Sequence, residues 1–214
     1  MILAGALLAR PGWHPPPACT NNGVQDTRPD RFRTPGLHLC SMTRIGLLSD
    51  THGYLDDRIA HHLRDCDEIW HAGDFGDAAV VEALEDLAPR FRGVYGNIDG
   101  ADVRQTQPLV QNFEIEGLRV LMTHIGGYPG RYVPEARQLL AQTRPGLFVT
   151  GHSHILRVAP DARLNLLHLN PGAAGMHGFH KVRTLLRFGI QQGHVVDMQA
   201  IELGPRALRP PAAQ

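Results

Sequence analysis

The sequence contains little cysteine. Its 214 residues include 3 cysteines, Cys19, Cys40 and Cys66, which are odd in number, widely spaced and outside any C-x-x-C pattern. A disulfide framework needs paired cysteines and a thiolate zinc site needs closely spaced ones, so the sequence favours neither. This usage fits the reducing cytosol, and we expect a cytoplasmic protein.

The sequence also lacks an excess of charge and a long apolar run. Its 21 lysines and arginines balance 21 aspartates and glutamates, so no broad nucleic-acid surface is indicated, although a nucleic acid could still be a substrate. The apolar run from Ile2 to Ala9 is far too short to span a bilayer. We therefore expect no membrane partner, while a homo-oligomer is compatible with the sequence.

Residues 1–41 lack the periodicity of a folded chain and are rich in Pro, Asn and Arg. A secretory signal needs positive charge before its apolar run, and here the first arginine, Arg10, follows that run. We expect residues 1–41 to be a disordered leader, or an upstream extension of a chain that starts at Met42. One domain is expected over 42–203, followed by a flexible tail at 204–214.

Short apolar runs alternate with helical periodicity from Met42 onward. Leu55, Ile59, Leu63 and Cys66 share one helix face, and a second helix is expected around 80–87. Strands are predicted at 44–49, 68–71 and 91–95. This βαβαβ order indicates parallel strand pairing in an α/β fold.

The second half of the chain adds a hairpin that turns at Glu116 and Gly117, and a helix from Pro134 to about Thr143. Further strands are predicted at 147–150 and 164–169. The segments VRTLLRF and HVVDMQAIEL are expected to close the fold as an antiparallel pair.

Five of the apolar strands end in Asp, Asn or His beside glycine, in the segments LLSDTHG, WHAGDFG, VYGNIDG, LMTHIGG and FVTGHSH. The carboxyl ends of strands in open parallel sheets line one crevice, so we expect these side chains to converge. Residues i and i+2 of an extended segment point to the same side. Asp50 with His52, and His152 with His154, could therefore each present two donors to one metal centre.

Each motif alone also has a structural interpretation, because Asp-Thr-His can cap a helix and Gly-Asp or Gly-Asn can close a turn. Taken together they indicate metal binding. Their nitrogen and oxygen donors suit Mn, Zn, Fe or Ni, and contain too much histidine for a dedicated Mg or Ca cage. The donors are too numerous for one ion with open positions. Two ions about 3.5 to 4 Å apart, bridged by one carboxylate and a hydroxide, would account for them.

The ordered motifs DTH, GD, GN-x-D, a lone His after a strand and GHSH resemble those of the calcineurin-like metallophosphoesterases, in particular their small bacterial and archaeal phosphodiesterase branch. The resemblance covers Met42 to Glu202 and includes an Asn-Pro-Gly element that begins at Asn170. It implies a single-domain, four-layer α/β/β/α sandwich with two mixed sheets and a dimetal site at the strand ends.

The resemblance also implies a role for each metal-binding position. One ion would be held by Asp50, His52 and His154, and the other by Asn97, His124 and His152. Asp74 would bridge both ions. Manganese is the expected metal, with Zn, Fe or Ni as alternatives.

The sequence departs from the wider family at Ile98, where many members have a histidine thought to protonate the leaving group. Isoleucine cannot donate a proton, and a positioned acid typically contributes about 10² to 10⁴-fold. His177 and His180 are candidate substitutes, although both could be ordinary loop histidines. Asp99 could orient a ligand or only close its turn.

The expected function is therefore the hydrolysis of a small phosphodiester, dependent on a dinuclear metal site and a metal-bridging hydroxide. Two alternatives stay open. The same site could act as a phosphomonoesterase or nuclease, or the fold could serve as a non-catalytic scaffold for protein interaction.

Overall fold

Two β-sheets packed face to face form the centre of the fold, in a computed structural model that describes residues 42–207. In chain order the elements are β1 (Thr43–Leu48), α1 (Asp57–Leu63), β2 (Glu68–His71), α2 (Ala78–Glu85), β3 (Arg90–Gly93), α3 (Ala101–Thr106), β4 (Val110–Ile115), β5 (Leu118–Thr123), β6 (Gly127–Tyr128), β7 (Arg131–Tyr132), α4 (Pro134–Thr143), β8 (Leu147–Val149), β9 (Leu156–Asp161), β10 (Leu166–Pro171), β11 (Val182–Gln191) and β12 (His194–Pro205). The leader expected at 1–41 lies outside the described residues.

Both sheets combine parallel and antiparallel pairs. The first has the order β12-β11-β1-β2-β3, and the second has the order β4-β5-β8-β10-β9. Strands β1, β2 and β3 are parallel, which confirms the predicted βαβαβ unit. The closing pair β11 and β12 is antiparallel, as predicted. In the second sheet β5, β8 and β10 are parallel, and the edge strands β4 and β9 run antiparallel to them.

The apolar side chains divide into three cores that define four layers. The central core lies between the sheets and contains Trp70 from β2 and Met122 from β5. Helices α1, α2 and α3 cover the outer face of the first sheet. Helix α4 covers the second sheet, where Leu140 packs in the same core as Phe148. The predicted four-layer α/β/β/α sandwich is therefore confirmed.

Strand β1 illustrates how the sequence pattern builds these layers. Ile45 and Leu47 belong to the central core, whereas Leu48 belongs to the helical side. A side chain at Gly46, also on the helical side, would collide with Leu63 of α1. Because successive side chains of a strand alternate between faces, one short strand serves both cores.

Besides the short pair of β6 and β7, which was not predicted, three features differ from the sequence-based expectations. Helix α3 was not predicted because its buried side chain is Val103 alone, so no apolar stripe marks it. Strand β9 was missed because it lies at a sheet edge and its side chains are mostly exposed or half-buried. Strand β12 continues through Pro205, beyond the domain boundary expected at 203, and residues 208–214 of the expected tail lie outside the described residues.

None of the helices within residues 42–207 combines the length and the hydropathy that a membrane span requires.

Candidate metal centre

The polar motifs follow directly after five strands from both sheets. Asp50 and His52 come after β1, Asp74 after β2, Asn97 after β3, His124 after β5, and His152 and His154 after β8. Backbone hydrogen bonds join these loops to one another. Asp50 N donates to Gly73 O at 2.9 Å, and Gly151 N donates to His124 O at 3.0 Å. The convergence expected from the strand ends is therefore present in the structure.

The loops reach this position through a left-handed backbone. The φ angles are 54° at Asp50, 49° at His52, 59° at Asp74, 66° at His152 and 56° at His154. Aspartate and histidine are among the residues that tolerate this region best, but a non-glycine residue there still costs on the order of 1–3 kcal/mol. Such strain is typical of positions that are fixed for function.

The side chains form two groups, each with ligand atoms within 4.8 Å of one another. One group contains Asp50, His52 and His154, and the other contains Asp74, His124 and His152. His152 and His154 thus belong to different groups. The spacing argument predicted one shared centre for His152 and His154, and their grouping contradicts it. The extended backbone that the argument assumed is absent at both residues, but Asp50 and His52 are left-handed as well and do share a group, so the backbone region alone does not decide the grouping.

Asn97 lies at the second group. Its Oδ1 is 3.2 Å from His124 Nε2, and Asp74 Oδ1 is 3.3 Å from the same nitrogen. His124 Nδ1 lies 2.8 Å from Ala72 O and can donate to it. With that tautomer, the lone pair of Nε2 in the neutral ring faces two oxygen atoms, an arrangement that suits a shared cation.

In the group of Asp50, His52 and His154, nitrogen and oxygen atoms with lone pairs also lie close together. Asp50 is fully buried, and its Oδ1 accepts no hydrogen bond from any described residue, although His154 Nε2 lies 3.1 Å away. His52 Nε2 and His154 Nε2 are 3.3 Å apart. A buried carboxylate oxygen without a donor is costly unless a cation is present. The donors of both groups therefore fit divalent metal ions that accept nitrogen and oxygen ligands.

Burial and charge act differently on these side chains. Burial lowers the pKa of His52 and of His152, which favours the neutral, metal-binding form. Burial also opposes charge on His124, but the hydrogen bond to Asp74 and the negative charges of Asp50 and Asp74 together outweigh it, so the pKa of His124 is raised. Burial disfavours the charged form of Asp74, yet the hydrogen bond and charge of His124, together with the hydrogen bond from Ile98 N, leave the pKa of Asp74 lowered. A metal ion would take the place of the proton that Asp74 and His124 share.

Gly96 allows the loop after β3 to lie against Asp74. A Cβ atom at Gly96 would collide with the carboxylate of Asp74. This close approach brings the β2 and β3 loops together, and it explains why glycine precedes Asn97.

The carboxylate of Asp99 connects the loops after β2 and β3 through hydrogen bonds. Its Oδ2 accepts hydrogen bonds from Asp74 N at 3.1 Å and from Gly96 N at 2.7 Å, and its Oδ1 accepts one from Gly76 N at 2.8 Å. The side chain is buried. Asp99 therefore positions the backbone of Asp74 and lies outside both ligand groups.

Sequence reasoning did not recognise the role of His71, at the end of β2. The Nδ1 atom of its buried ring accepts a hydrogen bond from Gly73 N at 3.1 Å. Its Nε2 atom lies 3.0 Å from Thr51 Oγ1. It thus connects the loop after β2 to the one after β1. The signal was present as a histidine at the end of a fully buried strand, where a polar side chain needs partners.

Asn170 fixes the loop that carries His152 and His154. Its Nδ2 donates to Gly151 O at 2.7 Å and to Ser153 Oγ at 3.2 Å, while its Oδ1 accepts from Gly172 N at 2.9 Å. This is a structural explanation for the Asn-Pro-Gly element.

A cleft of about 470 Å³ lies over the two groups and is lined by His177, His180 and Ile98 as well as metal-binding candidates. His180 Nε2 lies 3.0 Å from Gly175 O, while its buried Nδ1 has no hydrogen-bond partner among the described residues. The rings of His180 and His154 are 5.3 Å apart. His180 therefore lies near the candidate metal ligands.

Known proteins share both the sequence pattern and the fold. The model of the calcineurin-like phosphoesterase superfamily domain matches residues 43–193. A probable metallophosphoesterase from Methanothermobacter thermautotrophicus is 33% identical over 136 residues, which cover 60% of this chain and 76% of that protein.

Two solved structures extend the comparison. The structure of an archaeal phosphodiesterase has a TM-score of 0.60 at 21% identity, and the match covers 75% of this chain and 99% of that one. Vps29 from Entamoeba histolytica in complex with zinc has a TM-score of 0.55 at 17% identity, over 74% of this chain and 98% of that one. Both likenesses concern the fold.

The role of Asp99 leads to a prediction about metal affinity. In Asp99→Asn one acceptor oxygen becomes an NH₂ donor that faces backbone N–H groups, so the Asp74 loop loses its fixed position. We expect the Mn²⁺ dissociation constant, measured by titration calorimetry, to rise about 10- to 100-fold, as for other residues that orient metal ligands.

The control for this measurement is Asp102→Asn, which changes an exposed carboxylate in the first turn of α3. Circular dichroism establishes that both variants are folded. A folded Asp99→Asn variant with the affinity of the unmodified protein would contradict the positioning role.

Proposed function

The chain belongs to the calcineurin-like phosphoesterase superfamily, and from this premise we propose that it hydrolyses small phosphodiesters with the help of two divalent metal ions. The observation that carries the proposal is the pair of acid and histidine groups at the ends of four strands, with Asn97 at the end of a fifth. Family membership supports a metal-dependent phosphoesterase, and the two groups support a dinuclear site.

We assign Asp50, His52 and His154 to one ion, and Asn97, His124 and His152 to the other. Asp74 is proposed as the bridge, because its carboxylate lies beside His124 and its charge also acts on His52. Manganese is the proposed metal, and the same donors accommodate Zn, Fe or Ni. When bound, the ions would polarise phosphoryl oxygens and lower the pKa of a shared water.

The protein's own contribution is to hold the ligands before substrate binds. Asp99, His71 and Asn170 fix the loops after β2, β1 and β8, each through hydrogen bonds to loop backbone or to a side chain within a loop. Preorganisation of this kind means that little reorganisation is needed as charge develops during the reaction. Asp99 is accordingly proposed as a positioning residue.

A phosphodiester is favoured over a monoester by the charge and chemistry of the cleft. Within the described part of the chain, no lysine or arginine lines the cleft over the ligand groups. The cleft therefore offers no lysine or arginine charge to bind the second negative charge of a phosphomonoester. Ile98 lines this cleft and cannot protonate a leaving group. His180 is the proposed substitute acid because it lies in the same cleft.

The competing functions are supported by fewer observations. A monoesterase or nuclease would use the same ligands, and substrate turnover separates it from a diesterase. A non-catalytic scaffold is consistent with the fold shared with Vps29, but at 17% identity that likeness carries only the fold. The full ligand set argues for catalysis. We also propose that the protein is cytoplasmic. Association with further copies of the same chain is compatible with this proposal and can be tested.

The proposed bridge makes Asp74→Ala the sharpest test of catalysis. Protein reconstituted with Mn²⁺ should hydrolyse bis(p-nitrophenyl) phosphate, followed by the release of p-nitrophenolate. Asp74→Ala should lower kcat/KM at least about 100-fold, because even residues that only orient metal ligands contribute up to that amount.

The matched control is Asp86→Ala, which removes an exposed carboxylate at the end of α2 and should leave turnover unchanged. Absence of turnover with Mn, Zn, Fe and Ni, or equal activity in Asp74→Ala, would refute the proposal.

A further prediction concerns Ile98, whose side chain is 47% exposed at the cleft. Ile98→His supplies a proton donor, so hydrolysis of phenyl phosphate relative to bis(p-nitrophenyl) phosphate should rise at least about tenfold. Ile98→Gln, which is polar but not acidic, should not show this rise. An unchanged substrate ratio in Ile98→His would count against the placement of this position beside the leaving group.

A further inference from the structure

A second cleft, of about 320 Å³, opens beside the candidate metal centre. We call it the Leu109 cleft, and its apolar lining consists of Tyr95, Leu109, Val110, Ile125, Val133, Ala136 and Leu139. Leu109 is 54% exposed and Ile125 is 42% exposed. Single exposed apolar side chains are ordinary on a protein surface, but their concentration in a concave site is typical of ligand binding.

The Leu109 cleft is continuous with the centre. Asn97 and His124, which we place on one metal ion, also line the cleft. A phosphorus atom held at the centre would therefore have this apolar space on the side of Asn97 and His124. The larger cleft, which contains His180 and Ile98, shares Asn97 with it.

Charge in the Leu109 cleft is balanced. Its charged side chains are Arg104 and Glu135. Arg104 already donates to Asp99 O at 2.7 Å and to Asn97 O at 3.3 Å, and its guanidinium lies 4.9 Å from the centre of the Tyr95 ring. A second phosphate would face one arginine that is already engaged and one carboxylate. An uncharged apolar group fits better.

We propose, on the basis of the proposed function, that the Leu109 cleft binds the ester group that stays on phosphorus, and that this group is uncharged, apolar and ring-bearing. The leaving group belongs in the larger cleft because the candidate proton donor, His180, lies there. The retained group is then directed to the Asn97 and His124 side. A monoester has no such group, so the cleft would also favour diesters.

The size of the cleft supports this occupant. Its volume lies near the lower end of the range of about 300–1,000 Å³ for small-molecule sites, which suits one or two fused rings. A protein partner would instead bury about 800 Å² per side across a broad surface.

The test uses probes with a C–P bond, because such a group cannot leave. Titration calorimetry compares 2-naphthylmethylphosphonate with methylphosphonate on the Mn²⁺-loaded protein. We expect the naphthyl probe to bind at least about tenfold more tightly, and Leu109→Ala to remove most of this preference, since a lost apolar contact in a pocket is commonly worth about tenfold or more.

Leu164→Ala is the matched control, because Leu164 is 47% exposed and lies outside both clefts. It should keep the full preference for the naphthyl probe. Equal binding of the two probes, or an equal preference in Leu109→Ala and Leu164→Ala, would overturn the inference.

Turnover gives a second and separate readout. Methyl and 2-naphthylmethyl p-nitrophenyl phosphate both release p-nitrophenolate, and the second ester group of each would leave only as a much poorer alkoxide, so the two esters differ only in the retained group. Leu109→Ala should lower the naphthyl-to-methyl ratio of kcat/KM about tenfold. If neither ester is hydrolysed while probe binding still depends on Leu109, the proposed function fails, and what stands is the binding of an apolar, ring-bearing group by the Leu109 cleft. If both esters are hydrolysed with an unchanged ratio, the inference fails and the function stands.

Discussion

At the strand ends, carboxylate and amide oxygens and imidazole nitrogens lie close together, and the rest of the site depends on this crowding. Asp50 Oδ1 is buried without a hydrogen bond from any described residue, and oxygen atoms of both Asp74 and Asn97 converge on His124 Nε2, which can share a proton with only one of them at a time. Such an arrangement is unfavourable by itself because buried lone pairs repel one another and have lost water. Divalent ions would convert this repulsion into coordination.

The surrounding structure opposes relaxation of that crowding. Left-handed backbone at Asp50 and His154 directs their side chains inward, at a cost in strain that the packed sheets must offset. Asp99 accepts three backbone N–H groups from the loops after β2 and β3, and Asn170 fixes the loop after β8. Rigid strands therefore support a site whose ligands cannot easily turn away, and the apolar Leu109 cleft lies against the same ligands.

Much of the fold could be predicted from the sequence because its physical causes are local. Alternation around Leu47 and the helical spacing of Ile59 and Leu63 are set by the two cores that each element serves. Helix α3 and strand β9 escaped prediction because they bury few side chains, so the apolar pattern carries no signal there.

The convergence of the motifs was also predictable, since strand ends meet at one edge of a sheet. The division of His152 and His154 between two groups did not follow from residue spacing, because that argument assumed an extended segment and the backbone is left-handed. The roles of His71 and Asp99 depend on contacts between loops that are far apart in sequence, and no local pattern encodes those contacts.

The central claim is that the two groups hold two metal ions. Its most direct test is the number of Mn²⁺ ions that remain with each protein chain after metal-free protein is loaded and freed of unbound metal, measured by elemental analysis against protein concentration. The account predicts two ions per chain. One ion or none per chain would contradict it.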